Sequence, residues 1–272
     1  MNASVDRVFY YHADATPLGG HITHPFEQIV NSAASSALAQ AGGHAESSIS
    51  QFNLSDVITS GPAYSRTSGI VNKTTNDWTT LVTSVVENLN VLEVLTIDRV
   101  VSRVALDYPR DGDVPNLAFV GTQFVNVRLN GKIITPVLDF NLGSQPVVPG
   151  HFPDAPLLHD EGFLRNVIDR SEKTLKGAPD WLQKRYGWIS SEEARAKKGY
   201  VLCSLVTGID GAEDGQSFGN VLVVPGFGNI FFGELIVAQN SYRLTMVRVE
   251  MGCVAEGNLS VGSSFSNGRP IP

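Results

Sequence analysis

Runs of Val, Ile, Leu, Thr and aromatic residues of strand length recur along most of the chain and predict a mainly β protein. The clearest alternation lies between Val100 and Asp107, where the apolar side chains share one parity and the charged side chains share the other. Successive side chains of a strand point to opposite faces of a sheet. One face of this strand is therefore predicted to be buried and the other to be exposed to water.

Two long strands are predicted over residues 78–89 and 91–108, separated by a break of Asn residues. Further strands over residues 116–129 and 133–141 flank the dipeptide Asn130-Gly131. Asn and Gly tolerate the positive φ that both positions of a two-residue hairpin turn require. The dipeptide therefore predicts a β-hairpin.

The ends of the chain also favour strands. Residues 5–13 predict a strand that Pro17-Leu-Gly-Gly would end, and the alanine-rich residues 31–43 fit either a short helix or a strand. Between Tyr242 and Glu250 apolar residues occupy both parities, which is typical of a central strand with two apolar faces. Late strands are predicted over residues 200–207, 220–224, 230–239, 242–255 and 259–265.

A helical segment interrupts the strands after Gly162, where apolar residues recur at helical spacing. Two further short helices are predicted over residues 178–187 and 190–199. In the last of these, Ser190 and Glu193 have the spacing of a capping box. The segment therefore reads as a group of short helices.

The fold class predicted from these patterns is mainly β, an antiparallel sandwich or barrel with a helical insertion near residues 156–199. Single all-β domains often exceed roughly 200 residues. Residues 1–272 are therefore predicted to form one β-rich domain that carries the insertion.

Composition narrows the classes of function. A net charge of −7 and a pI near 5.3 leave no basic footprint for nucleic acid. No apolar run approaches the ~18–20 residues of a membrane span. The first residues lack the basic and then apolar order of a signal peptide. The expected compartment is the cytoplasm, or the cell surface or exterior if a leader has been removed.

Two stretches resemble a known family. Bacterial surface proteins called choice-of-anchor P proteins carry a run similar to Trp78-Thr-Thr-Leu-Val-Thr-Ser-Val-Val-Glu-Asn-Leu-Asn-Val-Leu and Thr122-Gln-Phe-Val-Asn-Val-Arg-Leu-Asn-Gly. Their closing segment resembles Val224-Pro-Gly-Phe-Gly-Asn-Ile and Tyr242-Arg-Leu-Thr-Met-Val-Arg-Val. The resemblance covers roughly half of the chain and does not extend to the insertion. It implies a secreted or surface-displayed β-rich protein without known catalysis, so no catalytic residues are carried over.

The stretch from Pro149 to Gly162 concentrates side chains that bind divalent metals. His151, Asp154 and His159 offer the imidazole and carboxylate ligands that zinc and similar ions take. The neighbouring Asp160 and Glu161 have a second explanation, because acids are favoured at the positive end of the helix that follows. A metal site and a simple helix lead-in therefore both fit.

A second cluster holds His12, Asp14, His21 and His24 in a segment that Gly19-Gly20 and Pro25 mark as a loop. If the fold brings the two clusters together, a His/Asp site for a divalent metal follows; if it separates them, the site disappears. A metal-dependent enzyme would then act on a small molecule in a pocket beneath the insertion.

Nucleophilic catalysis has less support. No Gly-X-Ser-X-Gly motif occurs in the chain. Cys203 and Cys253 lie in strand-like runs, as free thiols or as one disulfide, and neither has a setting that lowers the pKa of a thiol.

Aromatic residues of the insertion suggest a different kind of site. Trp181, Tyr186 and Trp188 could stack on a sugar or contact a protein partner, or could pack the short helices onto the sheet. The function predicted from all these features is a non-enzymatic bacterial structural or interaction protein, with its own copies or another protein as partner. A metal-dependent enzyme and a carbohydrate-binding module are the alternatives.

Overall fold

A computed structural model describes residues 7–112, 114–142, 156–252 and 255–271. The helices in this part of the chain are α1 (Glu161–Leu175), α2 (Asp180–Tyr186) and α3 (Glu192–Lys198), with 3-10 turns at Leu157–His159 and Gly187–Ser190. The strands are β1 (Val8–Tyr10), β2 (Ala13–His24), β3 (Gln28–Ala33), β4 (Ser36–Ala37), β5 (Gly43–Ile49), β6 (Phe52–Leu54), β7 (Ile58–Ser60), β8 (Ala63–Val71), β9 (Trp78–Val91), β10 (Leu95–Tyr108), β11 (Asn116–Ala118), β12 (Gln123–Leu129), β13 (Lys132–Leu138), β14 (Tyr200–Ser204), β15 (Val206–Asp210), β16 (Gln216–Phe218), β17 (Val221–Val224), β18 (Gly228–Ala238), β19 (Ser241–Gly252), β20 (Glu256–Ser266) and β21 (Arg269–Ile271).

Two large antiparallel sheets pack face to face in a sandwich-like arrangement. The ten-stranded sheet has the order β15-β13-β12-β10-β9-β7-β6, with β8 beside β9, β5 beside β8, and β11 beside β10. The nine-stranded sheet has the order β16-β17-β18-β19-β20-β2-β3, with β14 beside β18 and β4 beside β2. β1 and β21 pair with each other. The predicted fold class is confirmed, including the helical insertion after the middle of the chain.

Small side chains lie at the centre of the interface between the sheets. Ser65, Ser84 and Ser102 are fully buried and lie opposite one another on β8, β9 and β10. Ser264 of β20, in the facing sheet, donates a hydrogen bond from its Oγ to the Ser102 carbonyl oxygen at 3.5 Å. Small residues let the two backbones approach closely, so part of the Ser-rich composition serves the interior.

Two local predictions are confirmed. β12 and β13 form the predicted hairpin, and both turn residues, Asn130 and Gly131, have positive φ of 50° and 79°. In β10 the apolar parity of the 100–107 run is buried, while Arg103 of the other parity is exposed. The alternation of side chains across a strand explains both faces.

A row of residues across the ten-stranded sheet reverses which parity faces the core. Asn88 of β9, Asp98 of β10 and Asn126 of β12 lie opposite one another in the strand register. Both asparagines have a positive φ of 50°. We call these three residues the asparagine row. Core-facing residues of β9 are even-numbered up to Val86 and odd-numbered from Leu89.

A matching row crosses the nine-stranded sheet, where Gly233 and Gly262 have positive φ of 61° and 64°. This glycine row consists of Pro17, Gly233, Met246 and Gly262, which lie opposite one another in the register. In both rows left-handed residues alternate with residues of ordinary φ from strand to strand.

The glycine row corrects the prediction for β19. β19 is central in its sheet, between β18 and β20, as expected. Before Met246 the even-numbered residues of β19 face the core, and after it the odd-numbered residues do, so Leu244 and Val249 belong to the same core. Arg248, even-numbered and beyond Met246, faces away from that core and lies under the insertion. The prediction of two apolar faces is therefore wrong, because one apolar face changes parity halfway along the strand.

The segment predicted as a loop around His21 is also different, because β2 extends from Ala13 to His24 through Pro17 and both glycines. Pro17 fits inside the strand because it lies in the glycine row. Residues 31–43 form β3, β4 and turns, so the strand alternative was the correct one.

Caps set the ends of two helices in the insertion. The Asp160 carboxylate accepts a hydrogen bond from the Phe163 N–H at 2.7 Å and caps α1. The N-cap of α3 is Ser191, whose Oγ accepts from the Ala194 N–H at 3.2 Å, so the predicted capping box at Ser190 was wrong by one residue. No helix within the described ranges has the length and apolar character needed to cross a membrane.

Candidate functional site

A cavity of about 250 Å³ lies beneath the insertion, between α1 and the strands β14 and β15. Four charged residues line it, two acidic and two basic, so the lining carries no net charge. These residues are Asp139, Asp169, Arg170 and Lys173. Hydroxyl and amide groups make up most of the remaining polar lining, and they belong to Asn166, Ser171, Thr174, Ser204, Thr207 and Asn220.

Arg170 joins α1 to the rim of the ten-stranded sheet. Its Nη2 donates to Asp139 Oδ2 at 2.7 Å and to the Asn141 carbonyl oxygen at 2.6 Å. Its Nη1 donates to the Ser204 carbonyl oxygen at 2.9 Å. With only 14% of its side chain exposed, the guanidinium is held in place by these bonds, and its charge is balanced by Asp139.

Two polar groups of the cavity wall have no hydrogen-bond partner within the part of the chain that the structure describes. Ser171 Oγ and Asn166 Oδ1 are enclosed, and neither makes a hydrogen bond with the described residues. Ser171 as a whole is only 7% exposed. Enclosed polar groups nearly always have a hydrogen-bond partner. These two atoms are therefore placed to contact whatever fills the cavity.

Cys203 contributes a thiol to the same wall. It is a free cysteine, and its Sγ donates to the Leu235 carbonyl oxygen at 3.4 Å. Burial raises the pKa of this thiol to about 12, while Arg170 acts weakly in the opposite direction. A thiol that stays protonated is a poor nucleophile. Cys253 lies outside the described residues.

A buried charge network beside the cavity fixes the insertion to the sheet. Glu234 of β18 accepts hydrogen bonds from the Tyr186 hydroxyl at 2.9 Å and from Arg248 Nε and Nη2 at 2.5 and 2.9 Å. Glu250 accepts from Arg248 and from Arg185, the latter at 3.2 Å. Every carboxylate here faces a cation, which is what buried charges require.

This environment shifts the pKa values of two side chains in the network, Tyr186 and Arg248. Burial is the main cause that raises the pKa of Tyr186, and the negative charge of the neighbouring Glu234 raises it further. Burial is the largest single influence on Arg248 and lowers its pKa, but its hydrogen bonds to Glu234 and the nearby charges of Glu234 and Glu250 together raise the pKa above its ordinary value. Both side chains therefore keep their protons, and the network works as a fixed structural joint.

The model of a domain of unknown function, DUF8256, matches residues 9–238 of the chain. This protein belongs to the DUF8256 family. Searches of curated proteins and of solved structures each found no match.

The DUF8256 match covers the whole cavity wall and Glu234, whereas Arg248 and Glu250 follow its last matched residue. The network thus joins three residues inside the matched region to two residues beyond it. The description of DUF8256 gives no function. Function must therefore be argued from the geometry.

The metal ligands predicted at His12, Asp14, His21 and His24 lie just before β2 and along it. His12 directly precedes β2 and His21 lies within it, so at about 3.3 Å per residue they are roughly 30 Å apart. Asp14 lies near His12, and burial raises the pKa of its carboxyl group against the opposing effect of Arg243. His21 lies 3.6 Å from Glu27. His12 and Asp14 therefore cannot share one ion with His21 and His24.

The cluster predicted between Pro149 and Gly162 is described only in part. His159 is exposed in a 3-10 turn, and Asp160 is engaged as the cap of α1 with Glu161 as the first helical residue. His151 and Asp154 lie outside the described residues, so their role as metal ligands stays a prediction. Across the described ranges, no three His, Cys, Asp or Glu side chains are grouped closely enough to hold a metal ion.

The three aromatic residues of the insertion do not form one exposed platform. Tyr186 is buried, with 5% of the residue exposed. Trp181 packs edge-on against Phe231 at 6.3 Å between ring centroids, and Trp188 packs edge-on against Tyr200 at 5.5 Å. The alternative in which these rings pack the helices onto the sheet is the one the structure supports.

Sequence reasoning predicted a pocket beneath the insertion, but of the residues that line it only Tyr186 and Cys203 were named, and neither was assigned to the pocket. The lining comes from positions between Asp139 and Asn220 that no spacing motif connects. One signal could have found part of it: Ser171 and Thr174 lie on the same buried face of α1 as Val167. Polar residues on the inward face of an amphipathic helix indicate a polar space beneath it.

Proposed function

We propose that this protein is a non-enzymatic binding protein that holds a small, neutral, hydroxyl-rich molecule in the cavity beneath the insertion. The observation that carries the proposal is the pair of enclosed groups, Asn166 Oδ1 and Ser171 Oγ, that have no hydrogen-bond partner among the described residues. A ligand with several hydroxyl groups would supply both partners.

The lining favours such a ligand over a charged one. Two acids and two bases face the cavity, and the most buried of them, Arg170, already bonds to Asp139. Apolar patches from Val167, Ile189 and Leu202 lie between the polar groups. A sugar or cyclic polyol presents the same mixture of carbon faces and hydroxyls. The volume, about 250 Å³, lies below the roughly 300–1,000 Å³ of pockets for drug-sized molecules and indicates a small ligand.

Ligand-observed NMR with a panel of neutral monosaccharides and polyols tests the proposal, with their uronic acid and amino counterparts as charged comparisons. At least one neutral compound should bind and remain chemically unchanged on incubation. Ser171→Ala should weaken that compound about two- to tenfold, the usual effect of losing one neutral hydrogen bond.

Ser190→Ala is the matched control, because Ser190 is exposed and lies outside the cavity. Binding of the charged compounds alone, or an equal effect of both serine variants, would refute the proposal. If no compound binds, the cavity is a hydrated space and the proposed function fails.

Self-association is the second candidate, and the edge strand β5 favours it. Within the described strands, β5 pairs only with β8, which leaves its other edge open over seven residues. Open edges pair readily with strands of other chains. Sedimentation velocity over a concentration series should show a dimer that Ser48→Pro disrupts, because the register places the Ser48 N–H on the open edge and proline cannot donate to a ladder. A monomer at high concentration would exclude self-association. Location at a bacterial cell surface stays a prediction from the sequence resemblance.

A further inference from the structure

The outer face of the ten-stranded sheet carries a second concave surface, separate from the cavity. A groove of about 480 Å³ crosses β8, β9, β10 and the start of β12. We call it the β10 groove and define it by Tyr64, Arg66, Val85, Arg99, Val101 and Arg103. None of these residues lines the cavity beneath the insertion.

The floor of the β10 groove is apolar although it faces outward. Val85 and Val101 are only 1% and 5% exposed, yet neither belongs to the core between the sheets. They lie opposite each other on β9 and β10 and are covered by the longer side chains around them. A ligand that displaces those side chains would bury apolar surface here.

Among the described residues, the cations around this floor have only weak ion pairs or none, and Arg99 also donates a hydrogen bond to the Tyr64 hydroxyl at 3.1 Å. Arg103 is exposed, and its guanidinium makes no hydrogen bond or ion pair with the described residues. The pairs Arg99–Glu87 and Arg66–Glu46 are long, at 3.7 and 3.4 Å. Exposed pairs of this kind contribute little, so both arginines can exchange their carboxylates for those of a ligand.

Spacing along β10 sets what such a ligand must look like. Arg99, Val101 and Arg103 are two residues apart and share the outward parity, so the groove repeats basic, apolar, basic along one strand. An extended peptide has the same period, about 6.6 Å for every second residue. A segment with the order acid, any residue, apolar residue, any residue, acid would match all three positions.

We propose that the β10 groove binds an extended acidic segment of a partner protein with this order of side chains. Charge complementarity supports an acidic ligand. Three arginines line the groove and only two glutamates pair with them, so the groove is locally positive although the net charge of the chain is −7. The apolar floor favours a peptide over a purely anionic polymer, since a peptide can place an aliphatic side chain between its acids.

Fluorescence anisotropy with a labelled peptide Ser-Glu-Ser-Val-Ser-Glu-Ser tests the proposal on the full chain. A peptide of the same composition with its two glutamates adjacent is the control ligand. The spaced peptide should bind at least about fivefold more tightly, and Arg103→Gln should weaken it about fivefold, the upper range for one exposed ion pair. Arg165→Gln, which removes the same charge from an exposed position of α1, should leave binding unchanged.

Three outcomes would overturn the proposal. Equal affinity for the two peptides would remove the role of spacing, and unchanged binding by Arg103→Gln would remove the groove. Binding of a sulfated polysaccharide in an Arg103-dependent manner, with no binding of either peptide, would assign the surface to a polyanion instead. Thermal unfolding of the variant confirms that it folds, and the result is independent of the cavity ligand.

Discussion

Glu234 is the residue through which the sheet holds the insertion. Its side chain is 8% exposed and accepts hydrogen bonds from Tyr186 and Arg248, which come from the insertion and from the neighbouring strand. Arg248 also lies 3.6 Å from the centre of the Phe231 ring. One carboxylate thus neutralises a cation that is enclosed by aromatic and aliphatic groups.

Replacing Glu234 by Ala should lower the free energy of unfolding by about 3–5 kcal/mol, because the variant leaves the buried Arg248 cation without its main partner. Urea unfolding followed by circular dichroism measures the change. Glu46→Ala is the control, since Glu46 forms an exposed pair with Arg66 and should cost under about 1 kcal/mol. Similar losses in the two variants would contradict the role given to Glu234.

Cys203 should be protected from alkylation in the folded protein. Burial raises the pKa of its thiol from 9.0 to about 12, so below pH 9 its thiolate fraction is about a thousandfold lower than in the unfolded chain. Between pH 9 and about pH 12 the unfolded chain loses this proton and the folded protein keeps it. This group therefore lowers the free energy of unfolding as the pH rises through that range. Iodoacetamide labelling with peptide mapping, in buffer and in urea, reads out Cys203 alone. Equal labelling rates would contradict the prediction.

At the scale of elements, the glycine row predicts a specific cost of substitution. Gly262 has a positive φ of 64°, and a Cβ there would lie 3.2 Å from Val100 Cγ1 and 3.3 Å from Met246 Cβ. Gly262→Ala should therefore destabilise the fold through both left-handed strain, about 1–2 kcal/mol, and overpacking, about 1–3 kcal/mol.

Gly131→Ala separates the two effects, because Gly131 has a positive φ of 79° but open space at its Cβ position. Chemical denaturation of both variants should show a larger loss for Gly262→Ala. If the losses are the same, the close contact at the glycine row contributes nothing.

The sequence predicted elements well where local chemistry decides them. Asn130-Gly131 forms a hairpin because its two-residue turn needs positive φ at two successive residues, which Asn and Gly tolerate. Gly199 ends α3 because it adopts a left-handed conformation, with a φ of 68°, that glycine takes readily. Local chemistry is ambiguous at Ser190 and Ser191, which are equally good caps. It is misleading at Pro17, because only the register of β20 shows that an irregular position belongs inside β2.

The site was harder to predict than the fold. His12 and His21 look like members of one cluster in sequence, but the extended strand β2 separates them. Asp139 and Arg170 look unrelated in sequence, but the sandwich brings them to 2.7 Å. Ligand geometry depends on long-range pairing, and residue types alone carry no information about it.

At the scale of the whole molecule, the insertion and the sandwich should unfold together. Phe231 and Glu234 are covered by the insertion, so its release would expose apolar and charged surface on β18. Two of the three tryptophans lie in the insertion, so in a Trp78→Phe variant the fluorescence reports on the insertion while far-UV circular dichroism reports mainly on the sheets.

Urea transitions from these two signals should coincide in the Trp78→Phe variant, as expected for one cooperative unit. A fluorescence transition at lower urea would show that the insertion detaches first, and the cavity would then open before the fold is lost.

The asparagine and glycine rows act on the strands as a shared shift of reading frame. Each strand changes the phase of its inward positions at the row, and its neighbours change phase at the same level. Loss of a single residue from one strand would turn the remainder of that strand inside out while its neighbours stayed correct. We therefore expect length differences among members of the family to accumulate in the turns, and the interiors of these strands to keep a fixed length.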